Sequence, residues 1–559
     1  MMDRAPGRNA PLPQVGVGRR NLACTMVFVG MAWLTGLSPA LYAQALDQGG
    51  ELPGTDLPGS DLPGADLEAG FALPSDASPA MPLEPTLFAG SLGTALGLDT
   101  QTEDPLEDMA ALHSRIDLDL RHPLAQGLRV RLAARFQHRA ALGHRGDHEP
   151  AFVADWPAFG MRFDQGAELR EAYVQWERPW GRLVVGRDIV QWGALELQSP
   201  LRVVNPMDYS AGVLGNLAGD DTQALADLMV RWERPVGADS GLEFVYQPFF
   251  ASHRFSLIAT DTAALRQDLG PSLPPALFAQ LRRIDLRLDR QLGQALLLAL
   301  EPPPAAPWHG SLAARGHTRL GVWDVAAVAI WNWDRLPRLD FDEDVALVLG
   351  ALAGAGFGIE NQLKAFADPK VTAANERLGA AGKGPEDLVQ ATWRRRIVLG
   401  LEAEGPLAEG WLLRADAAVS PSRVLLDDRF APLESPLVQG GLGVEFSHED
   451  WLVALLEWNY QWVVDVPSER RPFLLAKHHH ALAGGLVLRL GEGQPWTVQL
   501  GGMWGISLGD WAALPKVQYA WAENWTLGLG AAVAGGPVAS VGGLIRQDDQ
   551  VVFDVRRAF

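Results

Sequence analysis

Hydrophobic and polar residues alternate along residues 128–139. The apolar positions are Leu128, Val130, Leu132, Ala134 and Phe136, and the positions between them include Arg129, Arg131, Arg135, Gln137 and Arg139. Successive side chains of a β-strand point to opposite faces, so the segment predicts a strand with one apolar and one charged face. Residues 114–121 repeat the pattern. A turn centred near Ala125 would join the two segments as a hairpin, with Asp119 opposite Arg131.

Segments of the same kind recur along most of the chain. They lie near 87–98, 169–177, 182–190, 223–233, 241–248, 311–321, 324–333, 344–353, 394–404, 411–419, 438–447, 451–462, 479–490, 496–506, 513–521, 525–533, 539–546 and 550–559. Together with the first hairpin they number roughly twenty. Because weak segments are easily miscounted, we expect about 18 strands, within a range of about 16–20.

The connections between these segments alternate in length. Short ones lie at 178–181, 405–410 and 491–495, and long ones near 141–167, 191–222, 354–392, 420–436 and 463–477. Outer-membrane barrels combine short periplasmic turns with long extracellular loops. Apolar residues at helical spacing also predict a helix over 275–298 and a weaker one around 371–395. We therefore expect an all-β fold, a transmembrane antiparallel up-and-down β-barrel with helical loop insertions.

Tryptophan is abundant, with 20 Trp against 6 Tyr. Many lie near predicted strand ends, namely Trp176, Trp180, Trp192, Trp232, Trp451, Trp462, Trp504, Trp511, Trp521 and Trp525. Indole rings suit a membrane interface, where the ring is apolar and its N–H remains hydrated. The distribution favours interfacial girdles over a set of buried core tryptophans.

The last predicted strand carries Val551, Phe553, Val555 and Phe559 on its apolar face. An apolar closing strand that ends in phenylalanine resembles the signal by which bacterial outer-membrane barrels are recognised and inserted. That resemblance implies Phe553, Val555 and Phe559 as the barrel-assembly signal. Arg557 departs from the apolar pattern, and near the membrane surface its long side chain can extend to the lipid headgroups.

The first 86 residues differ from the rest in composition. Arg19 and Arg20 precede an apolar run over 22–37 and a stretch of small residues, a pattern typical of a secretory signal peptide cleaved after Ala43 or Ala45. Residues 46–86 contain Leu-Pro-Gly repeats, which stay extended and solvated and predict a disordered periplasmic tether or a spacer without a partner. The expected domains are a signal peptide (1–43), a tether (44–86) and a barrel (87–559).

Composition and motifs exclude several functional classes. A net charge of −20 repels the phosphates of nucleic acid, and no apolar run after the signal reaches the ~20 residues of a spanning helix. The single cysteine, Cys24, lies in the predicted signal peptide, which leaves no thiol chemistry to the mature chain. His478 and His480 share a strand face, but two imidazoles alone bind a metal weakly. No hydrolase motif is present, so we expect neither an enzyme nor a cofactor.

One local string is distinctive. Gly186, Arg187 and Asp188 are followed by Trp192-Gly193 and by the segment 205–208, Asn-Pro-Met-Asp. This resembles a Gly-Arg-Gln, Trp-Gly, Asn-Pro-x-Asp pattern of porin-like bacterial outer-membrane families, including an uncharacterised proteobacterial barrel family. Asp188 stands where that pattern commonly has Gln. The string is either a strand exit and turn that fold a loop inward, or a pore constriction that uses Arg187 and Asp188.

The charged strand faces would line the lumen of such a barrel. The candidate pore residues are Arg115, Asp117, Asp119, Arg129, Arg131, Arg135, Arg139, Arg170, Glu171, Arg187 and Asp188, with Glu177 beside them. Further candidates are Arg396, Glu402, Arg414, Asp416, Glu445 and Glu457. Guanidinium groups in a confined pore favour anionic or hydroxyl-rich solutes. The alternative is the solvated, charged interior that any large barrel has.

These features predict an outer-membrane channel for a polar, anionic or carbohydrate solute. A variant is an export barrel for a polysaccharide or other polymer that acts with a periplasmic partner. A barrel-embedded hydrolase and a surface adhesin are more remote alternatives. The expected partners are outer-membrane lipids, lipopolysaccharide and the barrel-assembly machinery. The sequence does not predict the oligomeric state.

Overall fold

The computed structural model describes residues 85–99, 111–141, 165–209, 224–255, 306–335, 337–355, 364–365, 367–380, 385–429, 431–473, 475–537, 540–544 and 549–559. Eighteen strands form one antiparallel sheet in which each strand pairs with the next along the chain, and the last strand pairs with the first. The sheet is therefore a closed up-and-down barrel. The predicted fold class and strand number are confirmed.

The strands follow in chain order. They are β1 Leu87–Asp99, β2 Ala111–Ala125, β3 Leu128–Ala141, β4 Gln165–Arg178, β5 Gly181–Asp188, β6 Asp227–Pro235, β7 Ser240–Gln247, β8 Ser311–Leu320, β9 Trp323–Trp333, β10 Arg395–Ala408, β11 Trp411–Leu426, β12 Pro432–His448, β13 Leu452–Val463, β14 His478–Leu490, β15 Trp496–Gly505, β16 Asp510–Ala522, β17 Trp525–Gly535 and β18 Gln550–Ala558. Short turns join β2 to β3, β4 to β5 and each later pair at one end of the barrel, here the turn end. The longer connections all leave from the other end, the loop end.

Two predicted strands are helices. Helix α1 spans Glu343–Ala355, where a strand was expected over 344–353, and a short helix, Val541–Leu544, lies within the expected strand 539–546. The apolar run of 344–353 fits a helix as well as a strand, and the side chain of Asp342 favours the helix by accepting the backbone N–H of Asp344 at 3.0 Å. No helix in the described ranges is long and apolar enough to cross a membrane.

The second predicted helical region is mixed. Helix α2 spans Pro369–Ala380 and is capped by Asp368, whose side chain accepts the N–H of Lys370 at 2.8 Å. After the short helix Pro385–Leu388, the chain forms the strand Val389–Thr392, which pairs with Arg338–Phe341 in a small sheet beyond the barrel. The predicted helix 275–298, the signal peptide and residues 44–84 of the tether lie outside the described residues.

Two expectations about connections are wrong. The long loop expected over 420–436 is mostly strand, because β11 and β12 keep pairing past a bulge at 420–423 and leave only a short link, 427–431. In the first hairpin Arg121, not Asp119, lies opposite Arg131. A bulge near Pro123 and a two-residue turn with Gly127 at φ 70° move the turn by one residue.

The outer surface of the barrel is apolar. Leu401 and Leu529 are 62% and 55% exposed, whereas Glu402 and Glu457 on the opposite face are 6% and 0% exposed. Aromatic residues border this belt at both ends, with the Trp176 and Trp180 rings 5.8 Å apart at the turn end. Trp331, Trp458, Trp504 and Trp511 are exposed near the loop end. An apolar belt between aromatic girdles is the surface of a membrane-spanning barrel.

The barrel closes where β1 meets β18. Gly90 and Phe559 exchange two backbone hydrogen bonds of 2.9 Å, and the Phe559 and Phe88 ring centroids are 6.3 Å apart. Phe553 also points outward, and Arg557 lies over the Trp525 ring at 5.5 Å, in the turn-end girdle. A Cβ at position 90 would approach the Phe559 ring to 2.6 Å and the Asp117 carbonyl to 2.8 Å. Glycine at position 90 therefore leaves room for the Phe559 ring in the seam between β1 and β18.

We predict that Gly90→Ala impairs closure of the barrel. The new methyl group must displace the Phe559 ring or the backbone of β2, at a cost of about 1–3 kcal/mol. Heat-modifiable mobility in gel electrophoresis should show a reduced folded fraction and a lower unfolding temperature. Gly93→Ala is the matched control on the same strand, since its Cβ would meet only Val555 O, at 3.8 Å. Equal behaviour of the two variants would contradict the role of Gly90.

Candidate functional site

The loop that follows β5 folds into the barrel. Residues 189–207, the inward loop, begin after Asp188 and return to the wall near β6. Asn205 holds the two ends together, because its Oδ1 accepts the N–H of Val190 at 2.8 Å while its Nδ2 donates to the carbonyls of Asp188 and Leu225 at 3.0 and 2.9 Å. The string from Gly186 to Asp208 thus includes a strand exit and a turn that fold a loop inward.

The backbone of the inward loop is bound to three carboxylates on the far wall. Glu402 on β10 accepts the N–H of Gly193 at 2.7 Å, Asp416 on β11 accepts those of Ala194 and Leu195 at 2.9 and 3.1 Å, and Glu457 on β13 accepts those of Glu196, Leu197 and Gln198 at 2.7, 3.0 and 3.1 Å. Buried N–H groups need acceptors, and charged acceptors make strong hydrogen bonds. The loop therefore crosses the lumen from β5 to β13.

Glycines in the wall receive leucines from the loop. A Cβ at Gly400 of β10 would lie 2.2 Å from Leu201 Cδ2, and Cβ atoms at Gly441 and Gly443 of β12 would lie 2.7 and 3.0 Å from the methyl carbons of Leu195. Leu195 and Leu201 are fully buried. Each buried leucine contributes about 1.5–3 kcal/mol, so packing stabilises the inward position together with the hydrogen bonds.

Apolar contacts extend from the loop to both sides of the barrel. One cluster joins Val190, Trp192, Leu201 and Val204 of the loop to Met229, Val245, Ala313, Val328, Ile330, Val398 and Ala418 of β6–β11. A second joins Leu197 to Ala95, Ala483, Met503, Ala512, Leu514, Ala532 and Val552 of β1 and β14–β18. Trp192 is buried in the lumen, where its indole donates to Glu243 at 2.9 Å. The prediction that Trp192 belongs to an interfacial aromatic girdle is therefore wrong.

Arginines balance the carboxylates around the loop. Arg414 lies 3.2 Å from Glu196 and 2.8 Å from Glu404, and it also pairs with Glu445. Arg202 donates to the carbonyls of Glu196 and Leu195 at 2.6 and 2.8 Å. The charges on this side of the lumen are thus largely used to hold the loop.

The base of the loop rests on a buried arginine. Arg335 is 1% exposed and donates to the carbonyls of Val204 and Ala251 at 2.5 and 2.6 Å, with Asp227 at 3.5 Å. His253 accepts the N–H of Met207 at 2.8 Å, and burial, with nearby arginines, lowers the pKa of His253 well below its ordinary value. Sequence reasoning missed Arg335, Glu196 and Arg202. They lie in connections, where no periodicity marks them.

The predicted pore residues of β2–β4 lie on another part of the inner wall. Asp117 lies 2.8 Å from Arg115 and 2.6 Å from Arg135, and Arg131 lies 3.0 Å from Asp119 and 2.5 Å from Glu171. A bulge places Arg170 between the outward Leu169 and the inward Glu171. Arg129 is exposed toward the turn end, as is Glu177. The side chain of Arg139 is not among the parts of the chain that the structure describes.

Arg187 and Asp188 do not act as a pair. Asp188 is inside the barrel, 3.3 Å from Arg231. Arg187 occupies an outward position opposite the exposed Leu228 and donates to the carbonyl of Ala226 at 3.0 Å. His478 and His480 also lie on the outer face, where they stack with Trp462 and Trp458, respectively. In the described part of the chain, no group of three His, Cys, Asp or Glu residues could hold a metal.

Comparisons with known proteins give low similarity. No family model and no curated protein sequence matches the chain. Among solved structures, Acinetobacter baumannii OccAB1 has a TM-score of 0.43 at 8% identity, covering 87% of this chain and 99% of that one. Salmonella typhi OmpF in complex with daunomycin has a TM-score of 0.38 at 7% identity, over 85% and 97%. The A. baumannii outer-membrane channel DcaP has a TM-score of 0.35 at 9% identity, over 85% and 97%.

We predict that Glu457→Ala releases the tip of the inward loop. The substitution removes the acceptor of three N–H groups, which should destabilise the inward position by about 2–4 kcal/mol. A cysteine at Leu197, which is 1% exposed, reports the change by maleimide labelling of purified barrels. Labelling should be slow in Leu197→Cys alone and fast in the double variant.

Glu233→Ala is the control for this experiment. Glu233 pairs with Arg182 toward the turn end and accepts none of the six loop N–H groups described above. Fast labelling in both double variants would indicate general loosening of the barrel instead of release of the loop.

Proposed function

We propose that the protein is a porin-like channel of the bacterial outer membrane through which small polar solutes diffuse. The observation that carries the proposal is a closed 18-stranded barrel, apolar outside and charged inside, with a lumen narrowed by an ordered inward loop. Barrels of this strand number enclose an aqueous channel. Because short turns face the periplasm in outer-membrane barrels, we propose that the turn end, where β1 begins and β18 ends, faces the periplasm.

The position of the loop suggests where the solute passes. The hydrogen bonds of the loop reach β7, β10, β11 and β13, and the apolar clusters that it joins extend over β6–β11, β14–β18 and β1. The wall of β2–β4, which carries Arg115, Arg131 and Arg135, lies half a circumference from β12 in a ring of 18 strands. None of the hydrogen bonds and clusters named above reaches that wall, where Arg131 is 28% exposed and Arg115 and Arg135 are buried; we propose that the passage runs beside Arg131.

The ion pairs argue for a polar solute more than for strong anion selectivity. Asp117, Asp119 and Glu171 neutralise much of the field of the arginines beside them. A lumen of paired charges presents many donors and acceptors with a small net potential. A loop packed across the lumen also favours small solutes over the passage of a bulky polymer, so export is the weaker proposal.

Planar lipid bilayers test the channel proposal directly. The purified barrel should insert in discrete steps of ohmic current, and the double variant Gly400→Leu with Gly441→Leu should give larger steps because its side chains occupy the sites of Leu201 and Leu195. A well-folded barrel that conducts at no voltage would overturn the proposal.

We predict that Arg131→Gln with Arg135→Gln shifts ion selectivity toward cations. Removing two positive charges beside the proposed passage takes one arginine from each of Asp117, Asp119 and Glu171, and the cation-to-anion permeability ratio should rise about two- to fivefold at low salt. The reversal potential in a salt gradient measures the ratio. The control is Arg319→Gln on β8, which pairs with Asp324 at the turn end. An equal shift in the control would place the passage elsewhere.

A further inference from the structure

Three polar side chains beside the loop tip have buried atoms without hydrogen-bond partners. Gln198 is 8% exposed, Asn459 5% and His479 3%. In the described structure no hydrogen-bond partner is found for the side-chain Oε1 and Nε2 of Gln198, for the Nδ2 of Asn459 or for either ring nitrogen of His479. Most buried polar atoms in proteins are paired, and leaving one unpaired is costly, so a group of them needs a physical explanation.

The three residues belong to one region of the inner wall. Asn459 lies on β13 two residues after Glu457, and Glu457 Oε2 accepts the N–H of Gln198 at 3.1 Å. His479 of β14 lies opposite Gln461, the next inward residue of β13 after Asn459. Residues diagonally placed on paired strands are close enough for side chains to share a ligand. The inward loop therefore brings Gln198 to a polar patch that β13 and β14 already carry.

The chemistry of the patch suits a neutral ligand. A carboxamide supplies donors and an acceptor, and a neutral imidazole supplies one of each. The surrounding charges are the carboxylates of Glu457 and Asp510, and Asp510 interacts electrostatically with His479. The nearest described cation of the loop, Arg202, is engaged with loop carbonyls. Mixed donors and acceptors beside carboxylates match hydroxyl groups, which both donate and accept, and do not match an anion, which only accepts.

We propose that Gln198, Asn459 and His479 form a binding subsite for a neutral polyhydroxylated solute, such as an oligosaccharide, in the narrowed part of the lumen. The proposal rests on the channel function proposed above and specifies its substrate class. The solute hydroxyls supply the hydrogen bonds that the three side chains lack. In return, the three side chains replace the hydrogen bonds that the solute made with water. An oligosaccharide held by these side chains extends from the loop tip into the open lumen and narrows the passage beside β2–β4, so the ion current falls while the subsite is occupied.

Ion-current blockade by raffinose tests the subsite. In a single-channel bilayer experiment, raffinose should reduce the current saturably, whereas polyethylene glycol of matched hydrodynamic size, which lacks the hydroxyls, should not saturate. Gln198→Met, Asn459→Ala and His479→Leu should each raise the half-blocking raffinose concentration, by roughly fivefold for each hydrogen bond removed. Their ionic conductance should stay within about twofold of the unaltered channel, since no charge is removed.

Gln175→Met is the matched control, because Gln175 lies toward the turn end and donates to Glu177 at 2.7 Å, away from the subsite. Heat-modifiable mobility verifies folding of every variant. A conducting channel that raffinose does not block, or variants blocked like the unaltered channel, would overturn the subsite and leave the channel function standing. A folded barrel without conductance would instead overturn the channel function.

Discussion

Six backbone N–H groups, from Gly193 to Gln198, depend on three carboxylates in the wall of the barrel. A loop inside a barrel cannot pair its backbone with a neighbouring strand, because every strand edge is already used by closure. Acceptors must therefore come from side chains of the wall. Glu402, Asp416 and Glu457 supply them along the path of the loop, and the carboxylate charge strengthens each hydrogen bond.

Hydrogen bonding of the inward loop to wall carboxylates requires two further features of the barrel wall. Three carboxylates inside the barrel need compensation for the loss of water, which Arg315 gives to Glu402 as charge and the loop N–H groups give to Asp416 and Glu457 as hydrogen bonds. The loop also needs room, which Gly400, Gly441 and Gly443 provide for Leu201 and Leu195. Replacing one of these glycines with a larger residue would remove a pocket, and removing one carboxylate would leave buried N–H groups unpaired. The inward position is thus specified by packing and hydrogen bonding together.

The barrel itself could be predicted from the sequence because its physical basis is local. Alternation needs only neighbouring residues, and Leu132, Phe136 and Arg135 face the sides that their spacing indicates. The pattern is ambiguous for 344–353, where the apolar run fits both a helix and a strand and the side-chain cap of Asp342 favours the helix. The site could be predicted only in part. Glu402, Asp416 and Glu457 were recognised as inward residues, but their role depends on contacts with a loop more than 200 residues away.

Two adjacent residues at the loop tip, Leu197 and Gln198, link the stability of the inward loop to the proposed binding of the solute. Leu197 packs into the apolar cluster of β1 and β14–β18, and the next residue, Gln198, brings its unpaired amide to Asn459 and His479. Both positions depend on Glu457, which accepts both N–H groups. If the loop left the wall, Leu197 would lose its apolar contacts, and Gln198 would at the same time move away from Asn459 and His479. A solute that bridges Gln198 and the wall would in turn stabilise the inward position, because it binds only when the loop is in place. The narrowing of the lumen and the affinity for the solute are therefore coupled through one carboxylate.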